Sequence, residues 1–227
     1  MSPLKSGRQL WTAVDDYFGK LLAPPDKYLE ATVKANRKAG LPAIDVSPLQ
    51  GQHLNLLVRM TQPKRVLEIG TLGGYSTICM ARALPVDGRI VTLEFSPRHA
   101  EVARKNLKTA GVLDRVDLRL GPALQLLPML ESEGAGPFDF IFIDADKQSN
   151  AEYVKWALRL SRVGTTIVVD NVVRDGKVVD GKSKDPDIVG TRHMAELIAN
   201  EPRLSATVMQ NVGSKGYDGF LLAVVVS

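Results

Sequence analysis

The chain has almost no cysteine and no long apolar stretch. Only Cys79 among its 227 residues is a cysteine, so no intramolecular disulfide can form. Cys79 lies in the apolar run Ser76–Ala81, where a small buried hydrophobe is a better interpretation than a nucleophile. No apolar run is as long as a membrane helix, and the first residues, Met1–Lys5, lack the apolar core of a signal peptide. We therefore expect a cytoplasmic protein with no membrane partner.

The sequence also lacks a block of charge of one sign. Its formal net charge is +4, and basic and acidic residues alternate, as in Arg98-His99-Ala100-Glu101. Such alternation is typical of solvated helix faces and not of a stripe that follows phosphates, so we expect no nucleic-acid partner. With 44% hydrophobic and 24% charged residues, the composition is that of an ordinary globular protein.

Strands and helices alternate from about Lys64 onward. The predicted strands are near-continuous apolar runs, as expected when helices cover both faces of a sheet. They cover Arg65–Ile69, Arg89–Glu94, Arg115–Leu120, Phe138–Ile143 and Thr165–Val169. This alternation predicts an α/β fold built on a doubly wound, mostly parallel sheet.

Helical patterns flank this region, and a predicted hairpin ends the chain. The helices are expected at about Gln9–Leu22, Asp26–Ala39, Pro48–Met60 and Ile188–Asn200. Two further strands, Leu204–Gln210 and Phe220–Val226, are joined by the glycine-rich segment Gly213–Gly219, which predicts an antiparallel hairpin with a longer loop and a total of seven strands. We interpret residues 1–227 as one domain, with an N-terminal helical cap over 1–62 and an α/β core over 63–227.

Charged side chains follow two of the apolar strands directly. Phe138–Ile143 is followed by Asp144, Asp146 and Lys147, and Thr165–Val169 is followed by Asp170 and Asn171. Ligands of open α/β sheets bind outside the carboxyl ends of the strands, so these side chains should share one crevice. Carboxylate and amide oxygens are hard ligands that suit Mg²⁺ or Ca²⁺.

A glycine turn, Gly70–Gly74, follows the first strand, and Glu94 ends the second. An acid in the place of Glu94 can hold both hydroxyls of a ribose, but the turn does not have the G-x-G-x-x-G spacing of dinucleotide sites. Glu68 precedes the turn and would be unfavourable beside a pyrophosphate. It suits a cationic cofactor such as S-adenosylmethionine, which has a ribose, an amino group and a sulfonium. The plain alternative is a tight turn with two solvent-facing acids.

In this order along the chain, the motifs resemble those of the cation-dependent O-methyltransferases of the caffeoyl-CoA and catechol type. The resemblance runs from about Asp15 to the C-terminus and implies a Rossmann-like methyltransferase fold and a homodimer. It rests on Glu68-Ile69-Gly70, Gly74-Tyr75-Ser76, Glu94, Gly121-Pro122-Ala123, Phe138–Lys147 and Asp170-Asn171.

The resemblance implies a role for each of these positions. Contacts to S-adenosylmethionine would come from Val46, Glu68, Gly70, Thr71, Ser76, Glu94, Ala123 and Asp144. Asp144, Asp170 and Asn171 would hold Mg²⁺, or another divalent cation such as Mn²⁺ or Ca²⁺. Lys147 is the candidate base, or else it stabilises the oxyanion.

The implied reaction is methyl transfer to a hydroxyl of a small aromatic vicinal diol. Asp146, Arg174 and Tyr217 are candidates for its pocket. Two departures from the plant members concern Gln50, where a glutamate is common, and Arg174, where a tryptophan is common. Two alternatives stay open: an NAD-linked oxidoreductase and a non-catalytic module that retains only the cofactor pocket.

Overall fold

The computed structural model describes residues 7–227. Residues 1–6 lie outside the described part, and with them the Met1–Lys5 segment considered for a signal peptide and the start of the expected helical cap. Within residues 7–227, no helix combines the length and the apolar character needed to cross a membrane.

Three helices precede the sheet: α1 (Arg8–Leu22), α2 (Lys27–Lys38) and α3 (Pro48–Thr61). Each bound lies within one residue of the sequence prediction. Asp26 caps α2 by accepting from two backbone N–H groups, and Ser47 with Gln50 forms a capping box at the start of α3. Gln50, which departs from the plant pattern, therefore has a structural role, because its side chain accepts from the backbone N–H of Ser47.

The sheet has seven strands in the order β3-β2-β1-β4-β5-β7-β6. They are β1 (Arg65–Ile69), β2 (Arg89–Glu94), β3 (Val116–Leu120), β4 (Phe138–Ile143), β5 (Ser161–Asp170), β6 (Leu204–Gly213) and β7 (Gly216–Val225). The first five are parallel, and β7 pairs antiparallel with both β5 and β6. The predicted doubly wound, mostly parallel sheet with a C-terminal antiparallel hairpin is confirmed.

Helices cover both faces of this sheet. They are α4 (Tyr75–Ala81), α5 (Pro97–Thr109), α6 (Ala123–Ser132), α7 (Asn150–Arg159) and α8 (Pro186–Ala199), with single 3-10 turns at Leu113–Arg115, Lys147–Ser149 and Lys177–Val179. On β4, Phe140 and Phe142 pack into one core layer and Ile141 and Ile143 into the other, as the two-residue period of a strand requires. Cys79 is buried as expected, and burial raises the pKa of its thiol to about 12.

The hairpin corrects one prediction. Its strands run further than expected, and only Ser214 and Lys215 connect them. The predicted long loop over 213–219 is wrong, because Tyr217 pairs with Val212 and extends the ladder to Gly213 and Gly216. Gly216 has φ +109°, a conformation that an L-residue side chain disfavours, so the glycine permits this tight connection.

Candidate active site

Two cavities open at the carboxyl ends of the strands. The turn cavity, about 770 Å³, borders the glycine turn and is lined by many of the predicted site residues: Val46, Gly70, Thr71, Ser76, Glu94, Ala123, Asp144, Asp146, Lys147, Asn171 and Arg174. The hairpin cavity, about 620 Å³, borders the Ser214–Lys215 connection and contains Asp170. A third cavity of about 850 Å³ lies among the N-terminal helices and is lined by none of the predicted site residues. The chemistry therefore points to the first two cavities, although the third is larger.

The turn cavity and the hairpin cavity meet. Six residues line both: Ile44, Asp45, Val46, Asp144, Asn171 and Arg174. Two of the three candidate metal ligands are among them. A molecule in one cavity can therefore approach a molecule in the other beside Asp144 and Asn171.

The glycine turn holds the ends of β1 and β4 close together. Gly70 has φ +102°, and a Cβ at this position would lie 2.1 Å from the carbonyl oxygen of Asp144. Only glycine allows this approach. Glu94 braces the turn from β2, since its carboxylate accepts from Leu72 N–H at 2.7 Å and from Ser96 N–H at 2.8 Å. The turn is thus a rigid wall of the cavity.

Glu68 lies behind this wall and lines neither cavity. Its side chain is fully buried, and the hydroxyls of Ser76, Thr77 and Thr92 donate to it. Burial raises the pKa of Glu68 to about 7, against the hydrogen bonds that lower it. Its observed contacts hold Ser76 in place at the start of α4, so a role toward a ligand would pass through that hydroxyl.

The raised pKa of Glu68 predicts a pH dependence of stability. Between about pH 4.5 and 7 the folded protein keeps a proton that the unfolded chain has lost, so the free energy of unfolding should fall as pH rises through this window. The slope is at most about 1.4 kcal/mol per pH unit for one group. Glu68→Gln should flatten the profile measured by urea denaturation from pH 4.5 to 8.

Other buried carboxyls titrate alike in both proteins, so the difference between the two profiles isolates Glu68. Glu101→Gln is the matched control, because Glu101 is exposed and pairs only with Lys105. Parallel profiles for the wild type and Glu68→Gln would contradict the assignment.

Lys147, Asp144 and Asp170 form a charged cluster under the junction of the cavities. Lys147 is only 6% exposed, and its Nζ lies 2.9 Å from Asp144 Oδ1. Asp170 is buried too, and burial followed by repulsion from Asp144 raises its pKa to about 7. Asn171 has φ +57°, which asparagine tolerates better than most residues, and its N–H donates to Asp170 Oδ1 at 2.9 Å.

This cluster is chemically suited to a divalent cation. Two carboxylates and one amide oxygen are the donor set that Mg²⁺, Mn²⁺ or Ca²⁺ prefers. A buried carboxyl that is destabilised by a neighbouring carboxylate would gain from a cation between them. Within residues 7–227, no group of three or more His, Cys, Asp or Glu side chains has a metal-binding arrangement. The candidate set has only two such side chains, with Asn171 as its third member.

The three candidates for the acceptor pocket have different surroundings. Asp146 accepts a hydrogen bond from the Tyr153 hydroxyl at 2.5 Å. Arg174 lines both cavities, and its guanidinium lies 3.1 Å from Asp187. Tyr217 lines neither cavity; its hydroxyl bonds to the side chain of Gln210 on the adjacent strand. Its position does not support the prediction for Tyr217.

Sequence reasoning missed other residues that line the cavities. His99 lines the turn cavity, and its Nδ1 lies 3.3 Å from Glu94 Oε1. Its place in the first turn of a helix just after Glu94 was an available signal. His53 and Phe220 line the hairpin cavity as an edge-to-face pair with ring centroids 4.8 Å apart. They are far apart in sequence, so no local pattern connects them.

Comparison with known proteins finds relatives that match this chain over almost its whole length. The chain is 52% identical over 217 residues to a catechol O-methyltransferase of Niastella koreensis, covering 96% of this chain and 98% of that protein. An O-methyltransferase from Bacillus cereus, solved in complex with SAH, is 56% identical and has a TM-score of 0.95, with coverage of 96% and 99%.

A third relative is the O-methyltransferase TomG from Streptomyces achromogenes, involved in tomaymycin synthesis and solved in complex with SAM. It is 46% identical with a TM-score of 0.95, and the superposition covers 98% of this chain and all of that one. The O-methyltransferase family model matches residues 22–224. This range includes the charged cluster and all residues that line the two cavities, except Arg8 and Asp15 at the rim of the hairpin cavity. The chain therefore belongs to the O-methyltransferase family.

Proposed function

We propose that this protein transfers a methyl group from S-adenosylmethionine to one hydroxyl of a small aromatic vicinal diol, with the help of a divalent cation, in the first instance Mg²⁺. The observation that carries the proposal is the meeting of two cavities beside Asp144 and Asn171. One cavity has the glycine turn and Glu94, which suit the methyl donor. The other has Asp170, and so gives the acceptor a separate chamber.

S-adenosylmethionine supplies a methyl group on a positively charged sulfur. In the turn cavity, Glu94 would hold the ribose hydroxyls, and Gly70, Thr71 and Ser76 would contact the methionine part. Ala123 at the start of α6 would lie against the adenine, and Val46 would cover the cofactor from the opposite side. All of these residues line the cavity. Two relatives were solved in complex with SAH and SAM, which supports S-adenosylmethionine as the molecule that binds in this cavity.

Methyl transfer to oxygen needs an aligned nucleophile. A free phenol has a pKa of about 10, so few molecules are ionised at neutral pH. A divalent cation held by Asp144, Asp170 and Asn171 would orient both hydroxyls of the diol and favour the phenolate. Lys147, next to Asp144, would stabilise the oxygen once it is charged or, as the neutral amine, would take the hydroxyl proton.

The test is a methyl-transfer assay with labelled S-adenosylmethionine and a panel of catechols and hydroxycinnamates. We expect label in the acceptor, with activity lost in excess EDTA and restored by Mg²⁺. Reduction of NAD by an alcohol substrate, with no transfer of label, would favour the oxidoreductase alternative. Cofactor binding without transfer to any acceptor would favour the non-catalytic module.

Arg174 is proposed to help select the acceptor. It lines both cavities, and its guanidinium can stack on an aromatic ring or pair with an anionic substituent. The ion pair with Asp187 fixes its orientation at the junction. Arg174→Trp should lower the ratio of kcat/KM for a carboxylated catechol to that for a neutral one, with little change in cofactor affinity. An identical ratio in both proteins would exclude this role, and Arg192→Trp on α8 is the control.

We also propose that the protein forms a homodimer through α1 and the edge strand β6. No side chain of α1 is buried, and Tyr17 is 62% exposed in an apolar stripe that includes Leu10, Val14, Phe18 and Leu21. The helix contacts β6, a sheet edge with no charged residue and with Val208 and Met209 exposed. Uncovered apolar edges are an association hazard, which a second copy of the chain would remove.

Light scattering coupled to size exclusion should then give twice the mass of one chain. Tyr17→Lys should shift the protein toward the monomer, because it places a charge in the apolar stripe. Val86→Lys should leave the mass unchanged. It also places a charge at an exposed apolar residue, which is 96% exposed, but Val86 lies on the loop after α4 and outside the proposed interface. A monomeric wild type at micromolar concentration would contradict the proposal.

A further inference from the structure

A buried polar bridge joins two walls of the turn cavity. It consists of Asn36 on α2 and Asn106 on α5, which are 2% and 6% exposed. Asn106 Nδ2 donates to the carbonyl of Gly73 at 2.9 Å and to Asn36 Oδ1 at 3.0 Å. Asn36 Nδ2 in turn donates to Asp45 Oδ1 at 2.8 Å. The bridge therefore connects the glycine turn with the segment 44–46 that lines both cavities.

The bridge is tightly packed against the backbone of the glycine turn. A Cβ on Gly73 would lie 2.0 Å from Asn36 Oδ1, so the glycine lets the amide lie against the backbone of the turn. The backbone carbonyl of Asn36 also accepts from Leu41 N–H at 3.0 Å. The backbone of Asn36 thus holds Leu41, where the segment that leads to Asp45 begins. Its side chain holds Asp45 itself. A shift of Asn36 would move Asp45 relative to the turn.

The bridge has a feature that stability alone does not require. Apolar side chains of similar size would pack two helices together without the cost of burying amides. Here the donors and acceptors form a directional chain that ends on a carboxylate at the junction of the cavities. Satisfied polar networks of this kind specify one geometry, because every alternative leaves a buried group without a partner.

We propose that Asn36 is a positioning residue for methyl transfer, which acts through Asp45 to set the spacing between the glycine turn and segment 44–46 and thereby the affinity for S-adenosylmethionine. The proposal rests on the proposed function, because it takes the turn cavity as the cofactor site. It assigns Asn36 no contact with the cofactor or the reacting atoms. Asn106 supports Asn36 from α5 and fixes its orientation.

The direct test replaces the hydrogen-bond donor of Asn36 that faces Asp45 by an acceptor. Asn36→Asp places a carboxylate against Asp45, and it should weaken SAH binding, measured by calorimetry on metal-free protein, by about tenfold or more. The KM for S-adenosylmethionine should rise in parallel, with a smaller change in kcat. The double variant N36D/D45N restores a donor opposite an acceptor, and its affinity should return to within about threefold of the wild type.

Two further variants make the test specific. Asn106→Leu cuts the bridge without adding charge and should also weaken SAH binding, which covers the case in which Asn36→Asp fails to fold. Asn55→Leu is the matched control, because it removes another interhelical amide bond, to the Cys79 carbonyl at 2.8 Å, outside both cavities. It should lower the melting temperature and leave SAH affinity unchanged.

The outcomes separate the two proposals. Folded Asn36→Asp and Asn106→Leu proteins with unchanged SAH affinity would overturn the positioning role and leave the proposed function intact. A double variant no better than Asn36→Asp would also overturn it, since Asp45 would then act by its own charge. A wild-type protein that neither binds SAH nor transfers methyl groups would overturn both.

Discussion

Asp170→Ala should reduce methyl transfer by about a thousandfold or more, because it removes a charged oxygen from the proposed cation site. Asp144→Ala should have a similar effect on kcat. The measurement is initial rate with labelled S-adenosylmethionine and a catechol at saturating Mg²⁺. Excess EDTA should lower the activity of the wild type by as much as the Asp170→Ala substitution does.

The fold should survive the loss of Asp170. Its carboxyl is buried beside Asp144, and both burial and repulsion raise its pKa to about 7. Removing such a group relieves an unfavourable interaction, so the melting temperature of Asp170→Ala without metal should equal or exceed that of the wild type. An inactive but more stable variant would separate function from stability. Asp180→Ala, an exposed acid in the following loop, is the control with normal activity.

Full wild-type activity in excess EDTA would overturn the metal-dependent reaction. In that case Asp144, Asp170 and Asn171 would not act by holding a catalytic cation.

Lys147→Met should lower kcat by about 10²–10⁴-fold, the usual contribution of a positioned proton-transfer group. Its side-chain nitrogen is buried and lies 2.9 Å from Asp144, at the edge of the turn cavity. Affinity for SAH should change little, because the proposed cofactor contacts come from other residues. Rapid-mix measurement of a single turnover would report the chemical step directly.

Lys147→Arg distinguishes the two roles of this residue. Arginine keeps the positive charge but does not lose its proton in proteins, so it can stabilise an oxyanion and cannot act as a base. Activity well above that of Lys147→Met would favour electrostatic stabilisation, and equal loss would favour proton transfer. Lys155→Met, which removes an exposed lysine paired with Glu152, is the control. Undiminished kcat in Lys147→Met would exclude both roles.

Much of the fold and part of the site follow from local sequence patterns. The apolar runs at 65–69, 89–94 and 138–143 coincide with β1, β2 and β4, because strands buried on both faces need continuous apolar residues. Helix starts at Ser47 and Ser96 follow from capping chemistry. The position of Asp144 and Asp170 at one edge follows from the rule that parallel strands end on the same side.

Tertiary structure alone decided the strand order, the complete burial of Glu68 and the exclusion of Tyr217 from both cavities. It also brought Asn36 to Asn106, which are 70 residues apart. Local patterns encode the period of an element and the chemistry at its ends. They do not encode which elements become neighbours, because that depends on how the helices and strands pack together and on the long-range hydrogen bonds that the packing allows.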